Sequence, residues 1–100
     1  MATWIRQPQE KEDQDFWFAG TCYITNGVDG EIPEAERVQI LQDLWAFVRE
    51  KQGIDFLQVY INQETGRKVW VFDQVTRAEL REGIHPPEHN HFTILFPEEY

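Results

Sequence analysis

The sequence predicts an α+β domain: a mainly antiparallel sheet of about four strands, in the chain order β-α-β-β-β, with one long helix packed on one face. Three observations point there. Residues 34–52 carry apolar side chains at helical spacing between Pro33 and Gly53, a pattern that a strand does not show. Residues 54–61 and 67–73 are β-rich runs joined by a short loop ending near Gly66, a hairpin signal. The chain has 100 residues and is 41% hydrophobic, which suits one domain around one core.

The elements follow in order. Residues 1–14 are expected to form a flexible N-terminal arm, because Trp4 and Ile5 precede a long stretch without large apolar side chains. Residues 15–100 then make the single α+β domain. "FWFAGTCYIT" (16–25) is aromatic and β-branched and reads as a strand, and "NGVDG" (26–30) as a turn that ends it. Pro33 suits the start of a helix, Glu34 and Glu36 complement the positive end of its dipole, and Arg49 and Lys51 the negative end. Val38, Leu41, Trp45 and Val48, flanked by Ile40, Leu44 and Phe47, give that helix a wide apolar arc. "TRAELREG" (76–83) predicts a short helical turn closed by Gly83, and "HFTILF" (91–96) a last strand.

One helix covers one face of a sheet. In the hairpin, Leu57, Val59 and Ile61 point one way and Ile54, Phe56 and Tyr60 the other, while Val69 and Val71 oppose Trp70 and Phe72. A second face bearing Phe56, Tyr60, Trp70 and Phe72 is therefore expected to meet the arm, the 75–90 segment, a second copy or another protein.

Charge narrows the function classes. Eighteen acidic and nine basic residues give a net charge of -9, which repels phosphate backbones and anionic lipid surfaces. Direct nucleic-acid or membrane binding is disfavoured, and the alternative use of such charge is to imitate DNA and block a nucleic-acid-binding enzyme. Cys22 is the one cysteine, so no internal disulfide forms. The sequence holds neither an apolar run near the roughly 20 residues of a membrane span nor the h-region of a signal peptide, so a cytoplasmic location is expected.

No catalytic residues are assigned. The chain lacks serine, and Cys22 falls within a predicted strand, where a thiol usually packs as a small hydrophobe. "IHPPEHNHF" (84–92) gathers His85, His89 and His91 around Glu88, with Cys22 as a remote fourth ligand, and zinc accepts all of these donor types. Pro86 and Pro87 keep His85 out of any helix containing His89, however, so two imidazoles converge easily and a third does not. The expectation is a loop with no resident cofactor, with zinc the alternative.

The succession "ITNGV", "IPEAERVQILQDLW", "IDFLQVYI" and a late "IH...E" segment resembles the domain of unknown function 960 family, small staphylococcal and phage-associated proteins. Leu44, Trp45 and Asp55 to Tyr60 carry most of the likeness, which runs from Thr21 to His91. It implies a small α+β domain and no catalytic residues. Residues and resemblance together predict a non-catalytic interaction module, with a protein partner or homo-oligomer, acting through the aromatic face or the acidic surface.

Overall fold

A computed structural model describes residues 2–84 and 86–100, the side chain of Pro87 excepted, and its architecture is α+β, with a mostly antiparallel sheet and one long helix. In chain order the elements are β1 (Trp4–Arg6), β2 (Thr21–Ile24), α1 (Asn26–Glu31), α2 (Glu34–Lys51), β3 (Leu57–Asn62), β4 (Lys68–Asp73), α3 (Arg77–Glu82) and β5 (His91–Leu95), with 3-10 turns at Pro87–His89 and Pro97–Glu99. The sheet order is β1-β3-β4-β5-β2. Neighbours are antiparallel except β2 and β5, which run parallel with Thr21 opposite His91 and Ile24 opposite Ile94.

Helix α2 starts as its sequence dictates: the Pro33 carbonyl accepts from the N–H groups of Glu36 and Arg37, and acids fill the first turn. It stops where Gln52 turns left-handed and its N–H returns to the Val48 carbonyl at 2.8 Å. Gly53 follows at φ 112°, and a Cβ there would lie 2.6 Å from the Gln14 carbonyl oxygen. The loop closes only with glycine at this point.

The stripe that α2 presents to the sheet is Glu36, Ile40, Leu44, Phe47 and Val48, all buried. The predicted arc was broader than the sheet requires, and Val38 and Trp45 remain 43% and 38% exposed. Across from α2 the register lines up Gln58, Tyr60, Val69, Val71, Asp73, Phe92 and Ile94, again all buried. Each fully buried aliphatic or aromatic side chain here contributes roughly 1.5–3 kcal/mol of transfer free energy.

Three expectations are corrected. The arm over 1–14 is partly in the sheet: β1 pairs with β3, the Trp4 indole N–H donates to Glu36 at 2.8 Å, and Arg6 reaches Asp43 at 2.9 Å. The strand over 16–25 shrinks to Thr21–Ile24, because Phe18 adopts φ 51°. Its N–H is held by the Asp73 carboxylate at 2.9 Å, and its carbonyl accepts the Trp45 indole N–H at 2.9 Å. "NGVDG" is not a free turn but α1, because the Thr25 hydroxyl caps the Val28 N–H and Val28 is completely buried.

Candidate functional site

The sheet face turned away from α2 is built by the hairpin register, which sets Leu57 opposite Phe72 and Val59 opposite Trp70. Alternation along each strand leaves Leu57, Val59 and Ile61 of β3 beside Trp70 and Phe72 of β4, none of them fully buried. Phe56 arrives from the bend before β3 and meets Phe72 edge-on, with centroids 5.4 Å apart and planes at 89°. The turn Pro97–Glu99 brings Tyr100 against Trp70 at 5.9 Å and Phe72 at 6.1 Å. Phe56, Leu57, Trp70, Phe72 and Tyr100 together line a concavity of about 220 Å³.

Of the aromatic residues expected on this face, Phe56, Trp70 and Phe72 converge. Tyr60 does not: it points under α2, completely buried, with its hydroxyl donating to Asp43 at 2.6 Å. Burial first, and then that carboxylate, push the Tyr60 phenol far above its ordinary value. Leu57 takes its place on the open face, and Tyr100 was not anticipated there. The usable signal was the strict alternation of Leu57, Val59 and Ile61, which travels with Trp70 once the hairpin is in register.

A second and larger hollow, about 450 Å³, opens between the Trp17–Ala19 bend and α3. Its walls include Trp17, Phe18, Val75 and Leu80, with Arg77 and Arg81 also lining it. Arg77 already lies over the Trp17 ring, 4.3 Å from its centroid. Asp73 also lines this hollow and is only 2% exposed. Burial raises its carboxyl above the ordinary range, against the pull of backbone N–H groups of Phe18, Gln74 and Val75. Those donors occupy both carboxylate oxygens, Phe18 on Oδ2 and Gln74 on Oδ1, so Asp73 serves as the clamp of the Phe18 bend.

The two described histidines lie in different elements. His91 is in β5 and stacks on Tyr23 with centroids 4.7 Å apart, while His89 is exposed in the 3-10 turn. His85 lies outside the described residues, and among the described residues no group of three or more His, Cys, Asp or Glu side chains is arranged to hold a metal ion. Burial raises the Cys22 thiol above its ordinary value, against the opposing charge of Arg37, and so lowers its thiolate fraction.

Among the described residues, no helix is long and apolar enough to cross a membrane. Comparison with family models, with curated proteins and with solved structures finds no match for this chain.

Proposed function

We propose that this chain is a cytoplasmic, non-catalytic interaction module that receives an apolar side chain of a protein partner in the cleft formed by Phe56, Leu57, Trp70, Phe72 and Tyr100. The observation that carries this reading is the cleft itself: aromatic walls on a sheet face that the long helix does not cover. Aromatic rings in a shallow concavity are the usual anchors of binding energy between proteins. The net charge of -9 selects a partner with a basic rim, which it steers from a distance. The resemblance to the domain of unknown function 960 family assigns no residues to any activity, so the reading stands on the cleft.

A photo-reactive side chain at position 72 would trap the partner, which is then purified and titrated. Trp70→Ala is expected to weaken binding by about thirtyfold, the effect of losing roughly 2 kcal/mol at a buried anchor, whereas Ala46→Ser on the exposed face of α2 leaves it unchanged. Equal affinity for Trp70→Ala and the unaltered chain, with the fold intact, defeats the proposal. An acidic inhibitor that imitates DNA would behave differently: its affinity would collapse with added salt and be indifferent to Trp70.

A further inference from the structure

The two edges of the sheet are defended unequally. Edge strand β1 has three residues, carries Arg6 in an ion pair with Asp43, and is followed by Pro8; short length, charge and proline are the devices that stop edges from pairing with other chains. Edge strand β2, with four residues, is also short but has neither the charge nor the proline. It lies within residues 16–28, which contain no charged side chain at all in a chain that is 27% charged.

The backbone of β2 is half used. The N–H groups of Thr21 and Thr25 bond to the carbonyls of Asn90 and Ile94 at 3.1 and 3.2 Å, so alternation in a parallel pair turns the N–H and C=O groups of Cys22 and Ile24 outward. Apolar side chains flank this outward edge on both sides. Tyr23 is 50% exposed on the open face. On the other side lies the flank of α2 where Val38, Leu41 and Trp45 recur at helical spacing, beyond the sheet-facing stripe. Trp45 is placed there by its edge-on contact with Phe92, the β5 partner of Cys22.

We propose that two copies of this chain pair antiparallel along β2, about a twofold axis at Tyr23, to form one continuous sheet. In that register Cys22 of each copy faces Ile24 of the other, and each such pair exchanges both outward hydrogen bonds. Tyr23 faces its own counterpart across the axis, and the Trp45 flanks of the two α2 helices close beneath. A second copy is the occupant because the edge offers no charge by which a different strand would be selected, and because this uncharged stretch is where two molecules of charge -9 repel least. Such a contact is isologous and closes at two subunits. It leaves the aromatic cleft of β3 and β4 free, so the pairing stands independently of the proposed function and would make the module bivalent.

The test uses the full chain. Sedimentation equilibrium is expected to show a dimer that Tyr23→Lys converts to a monomer with unchanged circular dichroism, because like charges then face each other across the axis. Independently, Tyr23→Cys in a Cys22→Ala background should form an interchain disulfide under mild oxidation, since Cα atoms of a non-hydrogen-bonded antiparallel pair lie about 4.5 Å apart, within disulfide reach. Ile5→Cys in the same background, on the defended edge, should not. A monomer at the highest soluble concentration, a dimer that survives Tyr23→Lys, or equal cross-linking from both edges overturns the proposal, and the disulfide comparison decides alone if Tyr23→Lys fails to fold.

Discussion

Tyr60 and Trp70 belong to the same hairpin, one register step apart, and meet opposite fates: Tyr60 is completely buried beneath α2 with its hydroxyl on Asp43, and Trp70 is half-exposed under the edge of Tyr100. The faces they stand for are both apolar, so hydrophobic content alone does not separate them. What separates them is the reach of one helix. Ile40, Leu44, Phe47 and Val48 close over the β3, β4 and β5 residues of one side and leave the rings of the other to a short C-terminal turn. Burial on the first face supports the fold, while the second face is left only partly buried.

The comparison breaks most visibly at Leu44. It is completely buried at the centre of α2, so Leu44→Ala is expected to cost about 2–5 kcal/mol of stability, read from the urea midpoint. Trp70→Ala, although it removes more atoms, should cost clearly less, and a loss equal to that of Leu44→Ala would mean that the two faces are not distinct in energy. Asp73→Asn comes next. An amide replaces one of two oxygens that accept backbone N–H groups, and the donor left facing a donor costs about 1–3 kcal/mol.

The sign of the Asp73 pH dependence follows from its raised folded-state pKa. Such a carboxyl binds its proton more tightly in the native state, so the stability linked to it is complete below the unfolded-state value and is lost as pH rises through the folded one. Asp73→Asn should therefore lack that decline in its own stability profile across the acid range, which urea titrations at a series of pH values would show. Tyr60→Phe, which removes one hydrogen bond to a carboxylate shared with Arg6, is expected to cost about 0.5–1.5 kcal/mol, read from the urea midpoint.

How much of this could be read from residues alone depended on the range of the signal. Helix α2, the hairpin and β5 are written locally, in capping acids, a glycine stop and β-rich runs, and each forms at its predicted place. Apart from α1, whose Thr25 cap is local, the failures are long-range. β1 is held by Trp4 on Glu36 and Arg6 on Asp43, partners more than thirty residues away. The premature bend at Phe18 needs Asp73, and the parallel pairing of β2 with β5 has no neighbour in sequence to announce it. In the hairpin both faces are apolar in sequence, and the face that α2 covers is the one whose Tyr60 hydroxyl reaches Asp43. Of the four aromatic residues assigned to the open face, Trp70 and Phe72 lie there by strand alternation, Phe56 reaches it from the bend before β3, and Tyr60, inside β3, follows its own register to the other side.

The smallest expected effect tests what holds the edge of the open face in place. The Glu99 carboxylate accepts from the Thr25 hydroxyl at 2.6 Å, from the Phe96 N–H at 2.9 Å and from the Gly27 N–H at 3.3 Å. The Thr25 bond first, then the backbone donors, hold its carboxyl below the ordinary glutamate range. A depressed folded-state value means that the linked stability is present at neutral pH and is lost as pH falls through that value. Acidification should therefore release the amides of Gly27 and Phe96 to hydrogen exchange before the helix-covered core opens, and Glu99→Gln should reproduce the release at neutral pH. Gly27→Ala provides the steric counterpart, because a Cβ there would lie 2.6 Å from the same carboxylate. Tyr100 follows Glu99 directly, so each change should also loosen its contact with Trp70. If both amides stay protected in Glu99→Gln, the ring of Tyr100 is held by its own packing on Trp70 and Phe72, and the open face contributes more to the fold than its partial burial suggests.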